Sequence, residues 1–216
     1  MNILVFLGSE RDSTPPRPAR LGARVALACR DHLARSGSDV TVIDPLEVSL
    51  PSPFKPHFSY AEGKAPDALE ALAQQIADAD GYVMVSPEYN HSMSPALAHL
   101  LNHFGSTLYS YKPSVIVTYS AGQWGGTRAA VNMRCFLSEL GCLPVSAMIH
   151  VPKAQEVFTA AGEYEKEVDG AGWDGYLDRA FTQLVWWAEA AQRQRAEGAV
   201  SAPEGFRRDP SQRNAP

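Results

Sequence analysis

Five short runs of apolar and β-branched residues punctuate the chain: 3–7 (ILVFL), 40–43 (VTVI), 82–85 (YVMV), 115–119 (VIVTY) and 145–149 (VSAMI). Several carry no polar alternation, which predicts strands covered on both faces. Between and after them lie longer stretches with apolar positions at helical spacing, near 19–36, 67–79, 94–104, 125–140 and 173–196. Strand and helix in turn predict an α/β protein with a parallel sheet sandwiched between helices. Four prolines between Pro45 and Pro56 mark a surface excursion between the second strand and the second helix. From about Gly198 the pattern gives way to a polar stretch, expected to be a disordered tail (198–216) behind a single domain over 1–197. The last helical stretch sets Trp186 beside Trp187, and adjacent helix positions cannot both face one core.

Composition narrows the class. The 216 residues are 45% hydrophobic and 20% charged, long enough and apolar enough for one buried core. A net charge of −5 argues against nucleic acid or an anionic membrane as a partner, since both require a basic face. Cys29, Cys135 and Cys142 form no CxxC pair, and their odd number reads as reduced, packed thiols in a cytoplasmic protein. The apolar run at 3–7 is too short for a signal sequence or a membrane span. The histidines form no HExxH pattern, so no metal is expected.

Open parallel sheets bind ligands beyond the carboxyl ends of their strands, and the loops there carry the candidate chemistry. After the first strand, GSERDSTPPRPARLGARVA (8–26) combines hydroxyls of Ser9, Ser13 and Thr14 with Arg11, Arg17, Arg20 and Arg24 ahead of a helix start. Together these suit a phosphate group, although the loop is neither a Walker A nor a GxGxxG sequence. After the third strand, SPEYNHSMSP (86–95) places Ser94 as an N-cap before Pro95. The amides from Glu88 to Ser92 lack a ladder or helix to bond to; a flat polar ligand edge and a self-bonded turn built on Asn90 and Ser92 are equal alternatives. After the fourth strand, YSAGQWGGTRAA (119–130) has glycines 122, 125 and 126 for a close backbone approach and Trp124 to stack or shield. A glycine-rich turn needing no ligand is the competing reading there.

Taken together and in order, GSxR, SPEYNxS and YSAGxxGGxRA with the following helix resemble the NADPH-dependent FMN reductase and quinone reductase family over roughly residues 2–150. The resemblance implies a flavodoxin-like three-layer sandwich with a five-stranded parallel sheet in the order 2-1-3-4-5. It implies bound FMN with NADPH or NADH as co-substrate. By position, Ser9 and Arg11 match the family's phosphate motif. Arg20, Leu21 and Gly22 fall where the family has Ser, an aromatic or aliphatic residue, and Asn. Pro87, Glu88, Tyr89 and Asn90 match the turn that meets the isoalloxazine edge, with His91 where Gly is common. Ser120, Ala121 and Gly122, with Trp124 nearby, match the loop at the pyrimidine end.

The implied reaction takes hydride from NAD(P)H to FMN and on to a quinone, free flavin or similar acceptor in ping-pong fashion, with no catalytic acid or base. A homodimer or dimer of dimers is also implied. The rivals are a flavodoxin-type electron carrier that oxidises no pyridine nucleotide, and an FMN-free interaction module.

Overall fold

The computed structural model of the chain describes residues 1–11, 13, 18–198, 201 and 203. Its elements in order are β1 (Asn2–Leu7), α1 (Leu21–Arg35), β2 (Asp39–Ile43), α2 (Asp67–Asp78), β3 (Gly81–Pro87), α3 (Pro95–Asn102), α4 (Ser106–Tyr109), β4 (Pro113–Tyr119), α5 (Thr127–Leu140), β5 (Leu143–Pro144), β6 (Ile149–Val151), α6 (Ala154–Val157) and α7 (Gly170–Glu197). All strand pairings are parallel and the sheet runs β2-β1-β3-β4-β5, with β6 also on β4. That is the expected 2-1-3-4-5 order of a doubly wound, flavodoxin-like sheet.

Side-chain parity explains why the inner strands read as unbroken apolar runs. Ile3, Val5 and Leu7 of β1 join Val83, Val85, Val115 and Val117 in a core closed by α1 and α7. Leu4 and Phe6 join Tyr82, Met84 and Ile116 in a second core containing residues of α2, α3 and α5. Because the side-chain period of a strand is two, a strand packed on both faces favours apolar residues throughout; Ser86 of β3 and Ser114 and Thr118 of β4 are buried small polar exceptions towards the strand ends.

The fifth strand departs from expectation. Residues 145–149 are not one strand; two short strands, β5 and β6, flank the gap and share the edge of β4. Pro144 has no N–H for a ladder. The Val145 amide still donates to the Ser114 carbonyl of β4 (2.9 Å), and beyond it side chains bond the backbone. The Val145 and Ser146 carbonyls accept from Arg134 Nη2 (2.9 and 2.6 Å), and the Ala147 amide donates to Gln183 Oε1 (3.2 Å). Short helices α4 and α6 also escaped the periodicity, being a single turn each. Trp186 and Trp187 are both exposed, 58% and 42%, and pack edge to face at 4.6 Å, so neither faces the core. Cys29 and Cys142 are buried, whereas Cys135 is exposed, contrary to the packed-thiol expectation. Among the described residues no helix is long and apolar enough to cross a membrane.

Helix α7 is pinned to α1 by His32, whose ring nitrogens meet Asp174 (3.2 Å) and Asp178 (2.7 Å). Buried Lys112, just ahead of β4, donates from Nζ to the carbonyls of Ile76 and Ala77 (2.7 and 2.6 Å). It thereby satisfies two of the acceptors that the end of α2 leaves open.

Candidate functional site

β1, β3 and β4 are neighbours in the sheet, so the loops leaving their carboxyl ends meet at one rim. A cavity of about 140 Å³ draws walls from all three: Ser9, Arg11 and Leu21, then Pro87, Glu88 and Tyr89, then Tyr119, Ser120 and Ala121. A larger cavity, about 630 Å³, shares Arg11, Leu21 and Ala121 with it and adds Arg20, Arg24 and Gln155.

The first loop is held hard against β3. The Gly8 amide donates to the Val85 carbonyl at 2.7 Å, and a Cβ at Gly8 would lie 2.7 Å from that same oxygen. Close approach, rather than an unusual φ, therefore requires glycine there. The three described arginines of the loop, Arg11, Arg20 and Arg24, separate into distinct positions. Arg11 is exposed and borders both cavities. Arg20 turns the other way: Nη1 reaches the Ser9 carbonyl (2.5 Å) and Asp44 Oδ1 (3.1 Å), while Nη2 pairs with Asp44 Oδ2. Its charge is thus countered at the end of β2, and its role is to clamp the loop. Arg24 donates from Nη1 to the Phe158 carbonyl (2.8 Å), with its buried Nε left without a partner among the described residues. Thr14 and Arg17 lie outside the described residues.

The second loop is tighter than the sequence indicates. Tyr89 and Ser92 exchange backbone bonds at 3.0 Å in each direction, closing a two-residue turn with Asn90 (φ 51°) and His91 (φ 62°) at its tip. Left-handed backbone at both central positions is the type I′ pattern, which favours Asn-Gly. The expectation that every amide from Glu88 to Ser92 lacks a partner is therefore corrected: Tyr89 and Ser92 bond each other. The amides of Asn90 and His91 have no partner among the described residues. His91 pays the steric cost of a Cβ in this region. His91→Gly is expected to raise stability by about 1 kcal/mol, measured by urea denaturation, because glycine adopts this conformation without that clash.

Glu88 links the second loop to the third. Its largely buried carboxylate accepts from the amides of Arg128 (3.2 Å) and Ala129 (3.4 Å) and from Arg128 Nε (2.8 Å). It thus caps the first turn of α5, a placement the helix dipole favours. Glu88→Gln keeps the size but turns an amide group toward those donors. A loss of about 1–2 kcal/mol in stability is expected, read from denaturant midpoints at constant slope. The other expected cap is present too: Ser94 Oγ accepts from the Leu97 amide (3.1 Å), with Pro95 opening α3.

In the third loop Ser120 Oγ donates to the Gly122 carbonyl (2.8 Å) and accepts from the Gly125 amide (2.9 Å). The carbonyls of Ala121 and Gly122 are taken by Gln155 Nε2 (3.0 Å) and the Lys153 amide (2.9 Å). The amides of Ala121 and Gly122 have no partner among the described residues. Gly126 (φ 77°) precedes α5, and a Cβ on it would lie 2.8 Å from Thr118 Cβ. Trp124 stands 62% exposed on the rim, with the Arg128 guanidinium 5.9 Å from its ring.

Of the residues singled out from sequence, Ser9, Arg11, Leu21, Pro87, Glu88, Tyr89, Ser120 and Ala121 come together around the smaller cavity, and Arg20 borders the larger. Gly22, Asn90, Gly122 and Trp124 border neither. Gln155 is a wall residue that sequence reasoning passed over; Arg24 stood among the first loop's cations, and Tyr119 opened the third-loop motif with no role assigned to it. Strand parity turns Tyr119 to the same face as Val115 and Val117.

The donor set is divided. Cationic Arg11 and hydroxyl-bearing Ser9 and Tyr119 line the smaller cavity with groups suited to an anion, and Ala121, whose amide has no partner among the described residues, lines both cavities. The larger cavity falls in the size range of small-molecule sites. A doubly wound sheet with such a rim defines an α/β mononucleotide-binding protein of flavodoxin type. Residues 1–156 match the model of the NADPH-dependent FMN reductase family, and the chain belongs to that family. It is 40% identical over 135 residues to a quinone reductase of Escherichia coli, covering 59% of this chain and 67% of that one. It is 33% identical over 101 residues to an NAD(P)H-dependent FMN reductase of Pseudomonas aeruginosa, covering 45% of this chain and 55% of the relative, little more than half its length. Among solved structures, the flavoenzyme NAD(P)H:(acceptor) oxidoreductase FerB of Paracoccus denitrificans superposes with a TM-score of 0.64 at 18% identity. That superposition covers 88% of this chain and 98% of FerB, and shows a shared fold.

Proposed function

We propose that the chain is an FMN-dependent NAD(P)H oxidoreductase that reduces a quinone, free flavin or similar flat acceptor by ping-pong turnover. The supporting observation is the convergence of three loops, distant in sequence, on one small cavity with cationic and hydroxyl groups along its wall. When bound, FMN supplies the hydride chemistry, taking hydride from the nicotinamide and passing it to the acceptor. The chain's own groups position and polarise. Arg11 and Ser9 hold the phosphate, and the free amides of Asn90, Ala121 and Gly122 donate to the polar ring edge and favour negative charge there. Tyr89, 46% exposed, and Trp124 present flat faces at the rim to nicotinamide or acceptor. No side chain is required as acid or base. We further propose a homodimer or dimer of dimers, acting in the cytoplasm.

Absorbance of the purified protein tests the reading. The expected result is a band near ~450 nm that NADPH bleaches without oxygen and benzoquinone restores. A band that resists both NADPH and NADH would make the chain an electron carrier of flavodoxin type. Protein that stays colourless after incubation with FMN and desalting would sink both readings.

A further inference from the structure

Tyr119 closes β4 and opens the YSAG motif, but the family resemblance assigns a role only to the three residues after it. It is only 5% exposed, yet it borders the same cavity as Ser9 and Arg11. Its hydroxyl lies over Gly22, the second residue of α1: a Cβ on Gly22 would sit 2.4 Å from the phenol oxygen and 3.0 Å from Cζ. The phenol therefore fills the volume that a side chain at position 22 would otherwise claim. Burial pushes its ionisation well above the ordinary phenol range, opposed by the neighbouring Ser9 hydroxyl and by Arg20 and Arg11. It consequently stays an O–H donor at physiological pH, close to the same arginines that border the cavity. The neighbouring Ser9 hydroxyl uses the phenol oxygen as an acceptor, and an anion drawn in by Arg11 is the partner that the phenol's own O–H donor suits.

We propose that the Tyr119 hydroxyl donates a hydrogen bond to the phosphate of bound FMN, standing in for the side chain that Gly22 lacks, and so selects FMN over riboflavin. The inference rests on the FMN-binding reading above. It also accounts for glycine at position 22, since any larger residue would displace the phenol.

Flavin fluorescence titrations of full-length wild type and Tyr119→Phe, each with FMN and with riboflavin, provide the test. The expected outcome is a rise of about tenfold to a hundredfold in the Kd for FMN with riboflavin affinity unchanged, the loss of one hydrogen bond to a charged group. Equal weakening of both flavins, or no change for FMN, would overturn it. Gly22→Ala is the second variant, needed should Tyr119→Phe fail to fold; its methyl displaces the phenol without deleting it. Loss of the FMN preference in Gly22→Ala supports the inference, and retention counts against it. Wild type that binds FMN no better than riboflavin overturns the Tyr119 contact alone. Wild type that takes up neither flavin overturns the FMN reading along with it.

Discussion

Arg11→Glu is expected to weaken FMN binding on the order of a hundredfold while leaving the melting temperature of the apoprotein nearly unchanged. Arg11 is exposed and borders both cavities, and among the described residues no carboxylate pairs with it. Removing its guanidinium deletes a charge-assisted bond to phosphate, and the new carboxylate adds repulsion toward a dianion. An exposed position without packing contributes little to stability. Arg20→Ala should behave in the opposite way. That guanidinium already bonds Asp44 and the Ser9 carbonyl, so its loss loosens the first loop and lowers stability while removing no uncompensated charge from the pocket. FMN titrations and thermal melts of the two variants separate these roles. Equal effects from both would show that the loop acts as one electrostatic unit.

Between pH 8 and about 10.4 the folded protein should gain stability relative to Lys112→Met, by on the order of 3 kcal/mol over the whole interval. Desolvation, followed by repulsion from Arg195, pushes the Lys112 ammonium down to about 8 in the fold. In the unfolded chain a lysine keeps its proton to about 10.4. Across that window the unfolded state binds more protons, so the stability of the folded state rises with pH and the rise is complete near the upper value. Buried Cys29 acts with the opposite sign: burial raises its thiol to about 12, so the unfolded chain loses that proton first and stability falls over the higher range. Only the difference between wild type and Lys112→Met isolates the lysine. Urea midpoints at pH 8, 9 and 10 give it, and parallel curves would mean that Lys112 is not desolvated. Below pH 8 the variant should still be the less stable at its α2 end, because the carbonyls of Ile76 and Ala77 lose their donor.

The sheet was legible because burial on both faces leaves a signature in a single strand. Ile3 to Leu7 and Tyr82 to Val85 are apolar at every position, and only a strand covered from two sides has use for that. Edge structure was not. The run at 145–149 has strand composition, but only its ends join β4, through the Val145 amide and Ile149; between them Arg134 and Gln183, both on other elements, bond the carbonyls of 145 and 146 and the amide of 147. The second loop shows the same division at the scale of a turn. Its polar residues indicate a site or a turn, and the turn is what the fold shows: Tyr89 and Ser92 close on each other, while the amides of Asn90 and His91 have no partner among the described residues.

By itself, then, the sequence determined the fold class and the three loops that meet at one rim, because side-chain periodicity and turn composition are local properties written in consecutive residues; the strand order came with the family resemblance. Which charges are available was decided only in three dimensions. Arg11 and Arg20 are indistinguishable as letters, and Asp44, arriving from the end of a different strand, neutralises one of them. Glu88 lines the cavity, but the first turn of α5 claims its carboxylate. Tyr119 becomes a wall of the cavity only because Gly22, almost a hundred positions earlier, leaves room for its hydroxyl. Pairing and packing depend on distances between elements, and no consecutive stretch of chain encodes those distances.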